Sequence, residues 1–282
     1  MNYVPIYPCL GAIIGDTVGS VFEFANTKRT DFPLFSDDSD FTDDSIMTIA
    51  VADWLGNTDR SQIALEKKLV EWGNKFPNPK GSYGSTFSRW LFHPDWLCNF
   101  QTGEWGKRMP YNSWGNGSAM RASACGWAAY TFQQAMELGK CSAEITHNHP
   151  EGIKGAQAVA VAIWMAHRGD SKDTIRECIE DKFGYDLHHT CDEIRPSYSW
   201  DSSCQGTVPQ AIIAFLDSHD FEEAIRLAVS LGGDSDTLAC ITGGIAQAFY
   251  DNIPDYIIEE MRSRLPQEFW EVIARLESIV FK

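Results

Sequence analysis

Long segments rich in Ala, Ile and Leu recur along this chain, and they lack the alternation of apolar and polar residues that is typical of strands. Two of them, residues 155–164 and 237–246, are apolar on every side and rich in small residues. Such segments are typical of helices at the centre of a large bundle. No Pro/Gly/Ser linker, charge block or fixed-period repeat divides the chain. The pattern therefore predicts an all-α helical bundle, with a single domain over residues 1–282.

The same periodicity predicts where the helices lie. They are expected at residues 10–24, 45–55, 61–72, 118–134, 151–167, 208–217, 221–230, 237–250 and 266–279. Two stretches, residues 76–116 and 188–206, are predicted to be long and irregular. Long loops in a compact domain often surround a functional site.

The first predicted helix contains regularly spaced glycines and two acidic residues within an otherwise apolar sequence. Gly11, Gly15 and Gly19 follow one another at intervals of four residues, which allows another backbone to approach closely. Asp16 and Glu23 interrupt the apolar sequence, and their spacing of seven predicts that they share a face of this helix. Carboxylates on an otherwise apolar helix need partners.

Charge and cysteine usage exclude several classes of protein. Asp and Glu outnumber Lys and Arg by 39 to 23, a formal charge of −16, which disfavours nonspecific nucleic-acid binding and anionic membrane surfaces. No uncharged stretch approaches the roughly 20 residues of a membrane span, and no basic residue precedes Lys28 as in a signal peptide. The eight cysteines are scattered without a C-x-x-C pair. We expect reduced thiols, a cytoplasmic location and no membrane partner.

Two acidic clusters stand directly before predicted apolar helices. Thr-Asp-Asp-Ser at residues 42–45 ends a stretch with six aspartates, and Gly-Gly-Asp-Ser-Asp-Thr occupies residues 232–237. Either cluster alone is explained by a solvated loop with a helix cap. Brought together, they would offer an all-oxygen site for one or two hard divalent cations, Mg²⁺ or Mn²⁺. Zinc is disfavoured because neither cluster contains Cys or His.

Two further motifs precede predicted helices. Trp-Gly-Asn-Gly-Ser-Ala-Met-Arg at residues 114–121 is a glycine-rich turn whose backbone N–H groups could hold a phosphate or ribose oxygen, or an ordinary turn with a serine cap. Thr-His-Asn-His-Pro at residues 146–150 contains His147 and His149. Either histidine could be a metal ligand, a general base, a phosphate contact or a structural hydrogen-bond donor.

Taken in order, these motifs resemble the ADP-ribosylglycohydrolase family, the relatives of dinitrogenase reductase-activating glycohydrolase. The matching blocks are Gly-Ala-Ile-Ile-Gly-Asp-Thr-Val-Gly-Ser from residue 11 with Glu23, residues 42–45, residues 115–121, Thr-His-x-x-Pro from residue 146, and residues 232–237. The resemblance implies an orthogonal helical bundle with two Mg²⁺ or Mn²⁺ ions in a cleft.

The resemblance also implies roles for individual residues. The metal ligands would be Thr42, Asp43, Asp44, Asp234, Asp236 and Thr237. The residues binding ADP-ribose would be Gly115, Gly117, Ser118, Met120 and His147. Glu23 and Asp44 would act in catalysis, with Glu23 as the acid/base or the residue that positions water.

The implied activity is metal-dependent hydrolysis of the bond between ADP-ribose and a protein side chain, a nucleic acid or a small molecule. Two alternatives remain: a non-catalytic relative that binds ADP-ribose or serves a structural role, and a metal-dependent nucleotide phosphohydrolase. Arginine-type members often carry Asp-Ile-Gly where this chain has Gly-Ser-Tyr-Gly-Ser at residues 81–85, so arginine linkage is in doubt and the acceptor stays open. Residues 76–111 and 188–205 are expected to shape the acceptor side. We expect a monomer.

Overall fold

Helices make up the regular structure of residues 6–96 and 107–280, which are the residues that the computed structural model describes. In chain order they are α1 (Leu10–Gly19), α2 (Asp43–Leu55), α3 (Gln62–Lys75), α4 (Ser85–Phe92), α5 (Gly117–Met120), α6 (Ser123–Trp127), α7 (Phe132–Glu144), α8 (Pro150–His167), α9 (Lys172–Phe183), α10 (Cys191–Ile194), α11 (Cys204–Asp217), α12 (Phe221–Ser230), α13 (Ser235–Tyr250), α14 (Asp255–Arg264) and α15 (Gln267–Val280). Within these residues the only strand-like pairings are two isolated bridges, Thr42 with Lys80 and Gly115 with Ser203. The all-α prediction is confirmed.

The α1–α13 pair is the most extensive helix contact in the described residues, and the glycines of α1 make it possible. A Cβ atom on Gly15 would lie 1.9 Å from the carbonyl oxygen of Ala239 on α13. At Gly11 and Gly19 the nearest atoms of the facing backbone would be 2.4 and 2.5 Å away. No side chain fits at such distances, so the predicted close approach is confirmed. It brings the start of α13 beside the end of α1.

The hydrophobic core surrounds α13, which also packs against α8, α11 and α12. Both apolar segments singled out in the sequence lie in this core, one within α8 and the other within α13. Burial of helices on all sides explains why their sequences lack a polar face. None of the helices in the described part of the chain combines the length and apolar character of a membrane span. The cysteines described there form no disulfide.

The prediction of one helix over residues 10–24 is wrong at its end. α1 stops at Gly19, and the chain then turns, with the Phe22 N–H donating to the Gly19 carbonyl at 2.8 Å. The side-chain amide of Asn26 donates to the Phe22 carbonyl at 2.6 Å and holds this turn. Asp16 therefore lies on α1 whereas Glu23 lies on the turn, and the two carboxylates do not share a helix face as predicted.

The predicted helix over residues 118–134 is also wrong as one element. It is divided into the short helices α5 and α6, and α7 begins where the Thr131 hydroxyl accepts from the N–H of Gln134. The irregular stretch from residue 76 contains α4, and α9 and α14 were not predicted. α9 was missed because it buries only Ile175, Ile179 and Phe183, a stripe too narrow to stand out among charged residues.

Candidate active site

A cavity of about 510 Å³ opens where the start of α2, the turn after α1, the start of α13 and the glycine-rich turn before α5 meet. Most of the site residues predicted from the sequence line it. They are Glu23, Asp43, Asp44, Gly115, Gly117, Met120, His147, Asp234, Asp236 and Thr237. The two acidic clusters are far apart in the sequence, and the fold brings them together because α2 and α13 both begin at this cavity.

Asp16 fixes the position of the first cluster. It is fully buried on α1 and accepts hydrogen bonds from the backbone N–H groups of Thr42 (2.9 Å) and Ser45 (3.0 Å). The Thr42 hydroxyl donates to it at 2.7 Å, and the Ser45 hydroxyl donates to it as well. These bonds are the partners that a buried carboxylate on an apolar helix requires. They hold the first turn of α2 against α1, so that Asp43 and Asp44 face the cavity.

The second cluster stands at the start of α13. Gly232 and Gly233 both have positive φ, at 73° and 74°, a conformation that glycine adopts at little cost. Asn26, from the turn after α1, clamps this segment because its Oδ1 accepts from the Gly233 N–H (2.8 Å) and its Nδ2 donates to the Gly233 carbonyl (2.9 Å). Asp234 then directly precedes α13, and Asp236 lies in its first turn.

Glu23 completes the group of carboxylates. Oxygen atoms of Glu23, Asp234 and Asp236 lie within 4.8 Å of one another. Glu23 sits beside the loop after α3, where a Cβ atom on Gly81 would be 2.7 Å from its Oε2 atom. Two separate segments of the chain, the turn after α1 and the start of α13, therefore bring carboxylates to the same wall of the cavity.

The carboxylates destabilise one another's charged forms. Burial first, and then the neighbouring carboxylates, raise the pKa of Asp43, Asp44 and Asp236 well above the usual range. For Glu23 the same causes, burial and then Asp234 and Asp16, raise the pKa to about 7. Buried charges of one sign are normally paired or bound to a metal.

Two oxygen atoms in this group lack a hydrogen-bond partner among the residues that the structure describes. They are Oδ2 of Asp44 and Oε2 of Glu23, and both are buried. Carboxylate oxygens are acceptors only, and the neighbouring charges that act on Asp44 and Glu23 are mainly those of other carboxylates. A hard divalent cation satisfies such an arrangement, because Mg²⁺ and Mn²⁺ prefer oxygen ligands and oppose the accumulated negative charge. The donor set fits the predicted cation type.

The glycine-rich turn lines a second part of the cavity. A Cβ atom on Gly117 would lie 3.2 Å from Nε2 of His147, and one on Gly115 would lie 3.6 Å from it. The absence of these side chains leaves backbone and the histidine ring facing the same space. His147 is nearly fully buried, and burial, together with the charge of Arg121, lowers its pKa well below the usual value. The ring is therefore neutral at physiological pH.

Three residues considered in the sequence do not line the cavity. The Thr42 side chain faces Asp16 and also accepts from the Asp44 N–H at 3.2 Å. The Ser118 hydroxyl points to α8 and donates to the Gly152 carbonyl at 2.8 Å. His149 caps α8, where its Nδ1 accepts from the N–H of Glu151 at 3.1 Å. His149 thus has a structural role, but as a hydrogen-bond acceptor and not as the donor considered from the sequence.

Asn116 is a site residue that the sequence analysis did not single out. Its side-chain amide donates to Oδ2 of Asp234 at 2.8 Å and to the hydroxyl of Thr207 at 3.1 Å. The sequence feature that could have identified it is its position between Gly115 and Gly117, because it is a polar side chain on a turn of otherwise small residues. Its partner could not be read from the sequence because Asp234 lies 118 residues away.

The aromatic residues between positions 87 and 114 are predicted from the sequence to pack under a long loop or to form a stacking wall for a base, and Phe24 and Trp200 lie outside that stretch. Phe24 and Trp200 both line the cavity, are exposed, and stack on each other with ring centroids 5.8 Å apart. By contrast, Trp90 is fully buried and packs against Phe87. Of the aromatic residues considered, Phe100 and Trp105 lie outside the described residues.

The amino-acid sequence is similar to those of known proteins. A family profile described as ADP-ribosylglycohydrolase matches residues 8–280. ADP-ribosylhydrolase ARH3 of Gallus gallus is 25% identical, over 86% of this chain and 84% of its own length. ADP-ribosylarginine hydrolase Tri1 of Pseudomonas putida is 24% identical, over 96% of this chain and 78% of its own length.

A solved structure has the same fold. It is titled "ADP-ribosylglycohydrolase-related protein complex" and aligns with a TM-score of 0.71 over 98% of this chain and 97% of that chain, at 22% sequence identity. At this identity the likeness concerns the fold alone. The arrangement of helices described above is thus shared with a solved protein over nearly the whole chain.

Proposed function

Because the chain belongs to the ADP-ribosylglycohydrolase family, we propose that it is a metal-dependent hydrolase that cleaves the glycosidic bond between ADP-ribose and a modified acceptor. The observation that carries this proposal is the convergence of Glu23, Asp43, Asp44, Asp234 and Asp236 on one cavity. The acceptor is a protein side chain, a nucleic acid or a small molecule.

Two Mg²⁺ or Mn²⁺ ions are the proposed cofactors. Asp43, Asp44, Asp234, Asp236 and Thr237 would hold them, since all five line the cavity. Thr42 remains in the proposed ligand set through its hydroxyl oxygen. That oxygen donates to Asp16 and accepts from the Asp44 N–H, and one lone pair is left for a cation.

Hydrolysis at the anomeric carbon develops positive charge on the ribose ring and requires protonation of the leaving group. When bound, the metal ions would supply charge that orients the ribose hydroxyls and a water molecule. Glu23 is the proposed acid/base, because its carboxylate lies within 4.8 Å of the Asp234 and Asp236 carboxylates that would hold the metal ions. Asp44 supports catalysis as a metal ligand.

The ADP-ribose moiety is proposed to lie against the glycine-rich turn. Gly115, Gly117 and Met120 line the cavity beside His147, and the two glycines leave room for a ligand to approach the backbone. Ser118 would contribute indirectly, because its hydrogen bond to the Gly152 carbonyl holds this turn against α8.

The acceptor side is proposed to lie at the stacked pair of Phe24 and Trp200. Phe24 directly follows Glu23, the residue proposed to protonate the leaving group. Trp200 belongs to the segment expected from the sequence to shape acceptor recognition. Both rings are exposed at the cavity and are available to contact the group that leaves.

Release of free ADP-ribose tests the function directly. The protein is incubated with arginine-, serine-, O-acetyl- and nucleobase-linked ADP-ribose, once with Mg²⁺ and once with a chelator. We expect release from at least one linkage, and only with metal. AMP or phosphate as the product would instead indicate a phosphohydrolase. No product from any substrate, despite a thermal shift with ADP-ribose, would indicate a binding protein.

A further inference from the structure

A chain of three buried side chains runs from the core to the cavity. Arg121 is 1% exposed, and its Nη2 donates to the Thr146 hydroxyl oxygen and to the Ser142 carbonyl, both at 2.7 Å. The same Thr146 oxygen lies 2.7 Å from Nδ1 of His147. The opposite nitrogen of the ring, Nε2, is the one that faces Gly117 in the cavity lining.

The chemistry of these groups restricts where the protons can lie. A guanidinium is a donor only, so the Thr146 oxygen must accept from Arg121. The hydroxyl proton of Thr146 is then directed away from Arg121, where its neighbours are Nδ1 of His147 at 2.7 Å and the phenol of Tyr111. An imidazole nitrogen that accepts carries no proton, and in a neutral ring the proton then resides on the other nitrogen.

We propose that Arg121 and Thr146 are positioning residues that hold His147 in the neutral tautomer protonated at Nε2, so that the ring offers a hydrogen-bond donor to the cavity. The identity of the ligand that accepts this bond rests on the proposed function: it is an oxygen of the diphosphate or ribose of ADP-ribose. In the opposite tautomer Nε2 would present a lone pair, which repels a diphosphate oxygen because that oxygen has no proton to donate.

The burial of His147 makes this arrangement necessary. A second proton on the ring is disfavoured, because burial and the charge of Arg121 lower the pKa of the imidazolium. A neutral donor fixed by its hydrogen bond to Thr146 is the remaining way to present an N–H group. The positive charge of Arg121 adds to the attraction for an anionic ligand, and Arg121 also lines the cavity.

Nitrogen-15 NMR of the histidine rings tests the proposal without turnover. The His147 signals are assigned by their loss in a His147→Asn variant. In the native protein we expect one tautomer, with the proton on Nε2 and the Nδ1 resonance shifted by an accepted hydrogen bond. In Thr146→Val, which is similar in shape, we expect that shift to be lost and both tautomers to be populated. Thr146→Ser keeps the hydroxyl and should restore the native spectrum.

Tyr111 provides a second control, because its phenol also approaches Thr146. Tyr111→Phe removes only the phenol hydroxyl and should leave the His147 tautomer unchanged. A native ring protonated on Nδ1, or native ring resonances in Thr146→Val, would overturn the proposal. Circular dichroism melting of each variant verifies that the compared proteins are folded.

Binding of ADP-ribose, measured by calorimetry, connects the tautomer to the ligand. We expect Thr146→Val to weaken binding by about fivefold or more, the effect of losing one hydrogen bond, and Thr146→Ser to recover it. Unchanged affinity in a Thr146→Val protein with altered tautomers would overturn the role of the ring as a donor. If native protein binds no ADP-ribose, the proposed function fails, while the NMR result still decides the tautomer.

Discussion

The side-chain amide of Asn116 donates a 2.8 Å hydrogen bond to Oδ2 of Asp234, and this bond joins the glycine-rich turn to the acidic cluster. Asn116 is buried and also contacts the Thr207 hydroxyl. One oxygen of Asp234 is thereby oriented by a side chain that belongs to the proposed ligand-binding turn. The proposed metal site and the proposed ADP-ribose site are physically connected through this pair.

Loss of this contact is expected to weaken metal binding. Groups that orient metal ligands typically contribute about 10- to 100-fold to metal affinity, and we expect that range for Asn116→Ala. Mn²⁺ binding by calorimetry measures the effect. Asn74→Ala, an exposed asparagine on α3, is the matched control and should bind Mn²⁺ as the native protein does. Equal Mn²⁺ affinity in both variants would contradict the role assigned to Asn116.

Asp234→Ala is expected to abolish turnover and leave the fold intact. The substitution removes a proposed metal ligand, and we expect the rate of ADP-ribose release to fall by about 100-fold or more. It also removes one charge that disfavours the ionised forms of Asp43, Asp44 and Asp236. The Tm of the metal-free variant should therefore equal or exceed that of the native protein.

The matched control for this variant is Asp37→Ala, which removes an exposed aspartate from the acidic stretch before α2. Activity assays and thermal melting with chelator and with Mg²⁺ compare the three proteins. Native activity in Asp234→Ala would overturn the proposed metal site. A large fall in the metal-free Tm would show that Asp234 supports the fold instead.

The features predicted correctly from the sequence are those whose signal is local. The spacing of Gly11, Gly15 and Gly19 is a property of one helix, and it predicted a close backbone contact before its partner was known. Each acidic cluster was recognisable as carboxylates and hydroxyls before an apolar helix. The family resemblance then supplied what local patterns lack, which is the pairing of the two clusters.

The features that were missed depend on contacts between distant segments. Apolar periodicity runs on past Gly19, but α1 stops there because the next residues turn and Asn26 ties them to Gly233. The prediction that Glu23 lies on α1 failed for this reason. Likewise, the bonds of Asn116 and Thr146 are made to residues that the sequence does not mark as neighbours.

Titration of Glu23 predicts how the metal-free protein responds to pH. Its pKa of about 7 exceeds the ordinary value of about 4.3, so the folded chain keeps a proton that the unfolded chain has lost. The stability contributed by this group therefore falls as pH rises between these two values. The glutamine in Glu23→Gln does not titrate. The Tm of this variant relative to that of the native protein should therefore increase as pH rises from about 4 to about 7.

The comparison is made in chelator and repeated with Mg²⁺. The difference between their Tm values reports the titration of Glu23 together with its effect on Asp43 and Asp236, whose pKa values the charge of Glu23 raises. A bound cation would offset the charge of Glu23, so the pH dependence of the difference should shrink with Mg²⁺. A Tm difference that stays constant in chelator over this pH range would contradict the raised pKa.

Gly81→Ala is expected to displace the Glu23 carboxylate and to lower kcat, with a loss of stability that comes from backbone strain. The new Cβ would lie 2.7 Å from Oε2 of Glu23, the end of a flexible side chain that yields more readily than backbone. Misplacement of a reacting group by about 1 Å costs about 100-fold in rate, and we expect a loss of about 10- to 100-fold here. Gly81 has φ of +75°, so the alanine also carries backbone strain of about 1–2 kcal/mol.

Gly169→Ala separates the two effects, because Gly169 has φ of +84° and no atom within 4 Å of an added Cβ among the described residues. It should show the same loss of Tm as Gly81→Ala and the native kcat. Rates of ADP-ribose release at saturating substrate, together with thermal melting, compare the two variants. If both lose kcat equally, strain alone accounts for the loss. If neither does, displacement of the Glu23 carboxylate by the alanine does not limit the reaction, and this prediction is wrong.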